Sequence, residues 1–313
     1  MTRHLKSKSN AVVPSGEAPW PLVGSHVSVA GGLDKGVARA VEAGCDCIQV
    51  FTKNNNQWNA KPLTEEGIAA WKAALAASSL RHPIAHASYL INLAAPDDVL
   101  WQKSIDALVV ELQRGDALSL EGLVVHPGAF TTSDEATGMQ RIVAAIDKAF
   151  QQYSPQTCRL LLENTAGQGS CLGHTFPQLG WLLDNIQAPA QVGVCLDTCH
   201  AFAAGHAIET EAGFRAMRAE IDDYLPSGCI KALHLNDSKK GCGSRVDRHE
   251  HIGEGLIGKA GFLHLFADPL LRNIPGYLET PKGEDSQTGE DLDHKNLRIL
   301  REIAAAAQAT TSF

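Results

Sequence analysis

Nine side chains able to bind a metal recur through this chain at a nearly regular interval. His86, His126, Glu163, Asp197, His234 and Glu279 follow one another at separations of 40, 37, 34, 37 and 45 residues. His200 and the Asp247-x-His249 pair lie shortly after two of them. Imidazole and carboxylate without an obligatory thiolate suit zinc or manganese better than an iron–sulfur cluster. Nine donors exceed what one tetrahedral ion can use, but they suffice for two or three ions if a carboxylate bridges. Such a cluster serves phosphoester hydrolysis, because divalent ions acidify water, hold it in line with phosphorus and neutralise the leaving oxygen. Uncatalysed phosphoester cleavage is among the slowest of reactions, so that assistance matters.

The spacing is that of one strand plus one helix. Short β-type apolar runs are expected at 24–28, 47–52, 83–89, 123–126, 159–163, 192–197, 230–234 and 276–279. Several are continuous apolar runs, as expected when both sheet faces are covered. Helical patterns lie between them: Ile105, Leu108, Val109 and Leu112 share one helix face, as do Met139, Ile142, Val143, Ile146 and Phe150. Ser133 and Thr64 are the expected N-caps of two helices. Eight strands alternating with helices predict a single (β/α)8 TIM barrel, with its active site at the C-terminal ends of the strands. Six of the eight strands then deliver an imidazole or carboxylate to one rim. An open doubly wound sheet is the alternative, but no glycine-rich phosphate loop follows the first strand. The stretch 235–258 breaks the rhythm, being polar, glycine-rich and locally basic (Lys239, Lys240, Arg245, Arg248), and reads as a functional loop.

The remaining signals are plainer. Of the 313 residues, 44% are hydrophobic and 20% charged, which places the chain among globular proteins. A formal charge of −8 excludes a diffusely basic nucleic-acid coat but not an enzyme whose positive charge is metallic. No apolar run approaches the roughly 18 residues of a membrane span. The eight cysteines read as reduced core thiols of a cytoplasmic protein, and Cys195 and Cys199 are left out of the site. Residues 1–21, acid-poor and punctuated by prolines, read as a disordered extension without a signal peptide, leaving 22–313 as the barrel. His26 ends the first strand and reads as a supporting residue. His82, His174, His206, His251, His264 and His294 occupy no strand end and read as surface or structural.

The motifs also carry a resemblance. His86-Ala-Ser-Tyr-Leu-Ile-Asn-Leu93, Glu163-Asn-Thr-Ala-Gly-Gln-Gly-Ser170, Gly193-Val-Cys-Leu-Asp-Thr-Cys-His-Ala-Phe-Ala-Ala-Gly205, His234-Leu-Asn-Asp237 and Gly243-Ser-Arg-Val-Asp-Arg-His249 with Gly253-Glu-Gly255 resemble the endonuclease IV family of apurinic/apyrimidinic DNA-repair nucleases. The likeness runs over about 23–303. It implies a (β/α)8 barrel with three zinc ions, manganese being able to replace zinc at some positions. The implied reaction cuts duplex DNA 5′ to an abasic site, leaving a 3′-hydroxyl and a 5′-deoxyribose phosphate, and also clears blocked 3′ ends. By motif, His86 and His126 would hold one ion and Glu163 would bridge it to a second, orienting the attacking hydroxide. Asp197, His234 and Glu279 would complete the second site, and His200, Asp247 and His249 would hold the third. Three Zn²⁺ would take the chain from −8 to about −2, making the pocket attractive to phosphate. Tyr89 and Leu90 match positions that enter the DNA stack at the lesion, where an apolar wedge offsets part of the unstacking cost. Asn56 stands where the family often has arginine, and Lys239, Arg245 and Arg248 are expected near phosphates. A monomer acting on damaged double-stranded DNA is implied.

The rival expectation is a metal-dependent sugar isomerase or epimerase on a related barrel. It uses Glu163, Asp197, His234 and Glu279 but leaves His86, His126, His200, Asp247 and His249 idle. A catalytically silent DNA-damage binder is disfavoured because every expected ligand is present.

Overall fold

Side chains along a strand alternate faces, and that period of two organises everything inside this protein. The computed structural model describes residues 20–311. Seven parallel strands come first: β1 (Val23–His26), β2 (Cys47–Val50), β3 (Arg81–His86), β4 (Gly122–Val125), β5 (Arg159–Glu163), β6 (Val192–Asp197) and β7 (Ile230–His234). A short antiparallel hairpin, β8 (Asp237–Ser238) with β9 (His249–Glu250), precedes the last barrel strand, β10 (Gly276–Leu278). The barrel closes in the order β1-β10-β7-β6-β5-β4-β3-β2, with β1 pairing β2 through Ser25↔Ile48 and β10 through Gly24↔Tyr277. All eight predicted strands are present, and the (β/α)8 expectation holds. None of the helices among the described residues is long and apolar enough to cross a membrane.

The helices form because their apolar faces cover the outside of the barrel. In α3 (Asp98–Ala117), Ile105, Leu108, Val109 and Leu112 are buried, and in α4 (Glu135–Gln152) so are Met139, Ile142, Ile146 and Phe150. They pack on outward-facing strand residues such as Ala85, Leu123, Leu162 and Leu196 in one continuous core. Thr64 caps α2 (Glu65–Ala76) by accepting from Gly67 N, as expected. The α4 cap is corrected: Asp134 accepts from Thr137 N, while the Ser133 hydroxyl is turned back to donate to Phe130 O. The expected extension 1–21 lies outside the described residues except at its end. There, Trp20 donates from its indole to Arg272 O and packs edge-on to Phe266, and Pro21 is buried.

Inside the barrel a separate apolar plug consists of Cys47, Ile84, Val124, Leu161, Cys195, Ala232 and Tyr277, one from each of seven strands. Two residues further along those same strands, and therefore also facing inward, stand Gln49, His86, His126, Glu163, Asp197, His234 and Glu279. The plug closes the floor, and the polar layer opens to the C-terminal mouth. β1 contributes to the same plan with Gly24 and then His26. Gly24 has no room for a side chain, since a Cβ there would sit 1.8 Å from the carbonyl oxygen of Cys47. Backbone at that position cannot yield without opening the β1–β2 seam. Gly24→Ala should therefore lower unfolding stability by about 3 kcal/mol, read by denaturant titration, and a loss below about 1 kcal/mol would contradict this seam.

Candidate metal centre

The polar layer brings the sequence-expected residues together in three groups. His86, His126 and Glu163 form one; Glu163, Asp197, His234 and Glu279 a second; His200, Asp247 and His249 a third. Within each group the donor atoms lie within 4.8 Å of one another. Glu163 is fully buried and divides its two oxygens between neighbours. Oε2 is 3.2 Å from Nε2 of both His86 and His126, while Oε1 is 3.0 Å from His234 Nδ1 and 3.2 Å from His200 Nδ1.

The third group is assembled off the barrel strands. Asp197 ends β6 and also caps α6 (Thr198–Ala204), accepting from His200 N at 2.7 Å, which sets His200 on the first turn beside it. Asp247 and His249 arrive on the hairpin, which is tied to α6 by Gly243 N→Phe202 O and Arg245 N→Ala203 O. The base of the hairpin is organised by buried Asp237, whose carboxylate accepts from the backbone amides of Ser238, Gly253, Gly255, Ile257 and Gly258. The hairpin itself was not foreseen; two strands of two residues leave no alternation to detect.

Hydrogen bonds behind the imidazoles determine which nitrogen faces inward. A carbonyl oxygen only accepts, so the ring nitrogen against it carries the proton. His86 Nδ1 lies 2.8 Å from Ala87 O, His200 Nδ1 2.9 Å from Asn164 O and His249 Nδ1 3.2 Å from Glu279 O. His234 is turned the other way by Gln49, whose amide oxygen takes Nε2 at 2.9 Å while its NH2 donates to Glu279 Oε1 at 2.6 Å. Each ring therefore points a lone pair at carboxylate oxygens. His200 Nε2 and His249 Nε2 each lie 3.2 Å from an oxygen of Asp247, yet both are buried without a hydrogen-bond partner. A lone pair facing an anion is repulsive unless a cation stands between them. The donor set thus fits divalent metal of the zinc type, with imidazole nitrogens and carboxylate oxygens converging and their outer nitrogens anchored.

Without metal, a proton fills the same gap. Burial alone would lower the His249 imidazole, but the Asp247 carboxylate and the Asp197 charge outweigh it and raise it to about 9. Against burial, His86 is raised by Glu163 and Glu279, His200 by Asp197, Asp247 and Glu163, and His234 by Cys195, Glu279 and Glu163. Glu163 and Glu279 are held well below the usual carboxylate range, burial being outweighed by the imidazoles around them, His234 foremost.

The structure separates the remaining expectations. Tyr89 is 59% exposed on the rim, edge-on to Phe51 at 5.6 Å, and lines a cavity of about 800 Å³ together with His26, Asn54, Asn55, Asn56, His249 and Glu279. Leu90 is half-buried and outside that lining. Lys239, Arg245 and Arg248 are exposed on the hairpin loop outside that cavity lining, Lys239 being 3.6 Å from Glu250. His26 stands behind Glu279, 3.1 Å from Oε1, as a supporting residue. Histidines without strand-end positions have partners elsewhere, such as His82 with Glu121 and His294 with Glu290. Cys199 comes near Asp197 and His249, and burial pushes its thiol up to about 12. All eight cysteines are free.

Three supporting residues, one in the polar layer and two beside it, had no assigned role. Gln49 is the inward residue two beyond Cys47, and that period was the available signal. Asn164 and Asn236 clamp Asp197 from both sides: Asn164 Oδ1 accepts from Asp197 N, and Asn236 Nδ2 donates to Asp197 Oδ2, both at 2.7 Å. Each follows a candidate ligand by one or two positions.

Comparison with known proteins agrees with this geometry. A family model described as a xylose isomerase-like TIM barrel matches residues 37–303. A probable endonuclease 4 of Geobacter sp. strain M21 is 44% identical over 282 residues, covering 90% of this chain and 98% of that relative. The chain belongs to the endonuclease IV family. The crystal structure of endonuclease IV from Thermus thermophilus superposes with a TM-score of 0.81 at 34% identity, covering 91% of this chain and all of that one. A D-tagatose 3-epimerase-like protein also superposes, with a TM-score of 0.68 over 92% of this chain and 98% of that one, but at 17% identity it shares the barrel alone.

The lone-pair geometry has a measurable consequence. A raised imidazole stabilises the fold fully below its ordinary value of 6.5, and that contribution is lost as pH rises through about 9. Chelator-treated protein should therefore lose thermal stability between these values, and loading with a divalent metal at neutral pH should release protons, read by calorimetry in buffers of different ionisation enthalpy. Metal uptake without proton release would contradict the geometry.

Proposed function

We propose that this protein hydrolyses the phosphodiester 5′ to apurinic/apyrimidinic sites in duplex DNA, leaving a 3′-hydroxyl and a 5′-deoxyribose phosphate, and that it also trims blocked 3′ ends. Three zinc ions would be held by the nine grouped residues: His86, His126 and Glu163; Glu163, Asp197, His234 and Glu279; and His200, Asp247 and His249. The observation that carries this reading is the division of Glu163 between two sets of imidazoles, the geometry of a bridging carboxylate. Family membership supports the reaction class, since the curated relative is named an endonuclease. Bound zinc supplies Lewis acidity and positive charge toward a phosphodiester.

The chain's own residues do the rest. Gln49, Asn164 and the carbonyls of Ala87 and Glu279 orient the inward nitrogens, so the donors are arranged before substrate arrives. Asn164 fixes the backbone of Asp197, and Asn236 donates to its carboxylate. Tyr89, braced by Phe51, stands at the cavity mouth, where its ring can replace a missing base in the stack. Asn54 to Asn56 line the same cavity with amides, and Lys53 and Lys282 line it too, so stacking, hydrogen bonds and these two cations are all available to a lesion there. All nine donors come from one chain, so a monomer is a complete enzyme, and the free, mostly buried thiols suit a reducing cytoplasm.

A duplex carrying one abasic analogue decides the matter. Zinc-loaded protein should cut it once, 5′ to the lesion, and prolonged chelation should abolish the cut; intact substrate from loaded protein would overturn the proposal. Glu163→Gln should slow turnover by more than the roughly hundredfold typical of losing an outer support, while sparing most DNA affinity in a gel-shift measurement. An unchanged rate would remove Glu163 from its bridging position.

A further inference from the structure

A carboxylate that has nothing to do with the metal groups is buried beside them. Glu111, on the inward face of α3, is 1% exposed. Its Oε2 accepts from the Thr52 hydroxyl at 2.9 Å, and its Oε1 accepts from Ser88 N at 3.2 Å. Lys53 Nζ, on a side chain itself only 3% exposed, stands 3.6 Å from Oε1 and donates to Gln57 O at 2.7 Å. Thr52 and Lys53 begin the loop after β2; Ser88 begins the loop after β3. One buried anion therefore takes donors from two loops that are otherwise separate in sequence.

A second tie runs directly between them, since Ser88 Oγ donates to Asn55 O at 2.6 Å. One turn along α3, Arg114 grips the first loop at both ends, donating to the Thr52 hydroxyl and carbonyl and to Lys61 O. The segment 53–61 contains no helix or strand, yet its backbone is held at several points. Asn55 precedes Asn56, and Ser88 precedes Tyr89. The anchored residues are thus immediate neighbours of those placed at the cavity mouth.

We propose that Glu111 is a positioning residue that locks the loops 52–61 and 88–92 together, so that both walls of the lesion cavity are set before DNA binds. This rests on the nuclease reading for its purpose, though not for its structure. A buried carboxylate–ammonium pair costs several kcal/mol of desolvation and is weak evidence for fold stability. Its distinctive property is that neither loop can leave without exposing an unsatisfied partner in the other. Loops arranged in advance lower the ordering cost of binding, which appears in substrate affinity rather than in the chemical step.

The test uses full-length Glu111→Gln, measured by amide hydrogen exchange without DNA, by zinc content and by steady-state kinetics on the abasic duplex. Exchange should accelerate about tenfold in both loops together. KM should rise about tenfold while kcat changes less and zinc content holds. Loosening of one loop only, no loosening, an unmoved KM, or zinc lost in step with KM would each overturn the proposal. If the single variant fails to fold, Glu111→Gln with Lys53→Met removes both charges and should restore folding with the same exchange pattern; its failure to fold would make the pair structural and refute the positioning role. Wild-type protein that leaves abasic DNA intact would sink the nuclease reading, while exchange in the variants would still decide whether the loops are locked.

Discussion

A carboxylate with no exposed surface, Glu163, faces four imidazole nitrogens at 3.0–3.2 Å, and the rest of the molecule is arranged around that fact. An isolated anion at this depth would be expelled or neutralised. It persists because positive charge is available on both of its sides. Three of these imidazoles, those of His86, His200 and His234, are held by further hydrogen bonds, so they cannot rotate away from the carboxylates they face. The site is therefore a fixed array of donors suited to cations.

What makes such an array possible is the division of labour along each strand. The outward residues meet helices and provide the main core, whereas the inward ones form first an apolar floor and then a polar ring. The floor matters as much as the ring. With Tyr277 and Leu161 sealing the barrel below, water approaches the donors only from the mouth, which strengthens every electrostatic contact in the layer above. The same barrel serves sugar epimerases, so the fold alone does not choose the chemistry. In this chain the donor set extends beyond the strand ends to the hairpin's Asp247 and His249.

Most of this was legible because barrel strands impose a rhythm on sequence. A strand end every thirty-four to forty-five residues, each bearing an imidazole or carboxylate, is a pattern chance does not produce. Residues that support without titrating were harder to see. Gln49 escaped because an amide at a strand end looks like any polar residue; only its place two beyond an apolar plug residue marks it. Asn164 and Asn236 were visible inside motifs, but their grip on Asp197 depends on how neighbouring strands align. The α4 cap was misplaced by one residue, since Ser133 and Asp134 are both good caps and the choice rests on a tertiary turn at Phe130. Trp20 and Pro21 were given to the extension because prolines there suggested an open tail, whereas the indole finds the carbonyl of Arg272, just before the β10 strand that pairs with β1. Glu111 left no signal, as a lone acid on a helix is normally solvated.

Glycine abundance in 253–258 ordinarily suggests a floppy connector. Here it has the opposite meaning. Five main-chain N–H groups must crowd onto the two oxygens of Asp237, and a methyl group on Gly255 would lie 2.4 Å from one of them. The absent side chains let the chain wrap an interior anion closely, much as a mould closes on a casting. Composition that reads as freedom in the primary structure is, once folded, a source of stiffness.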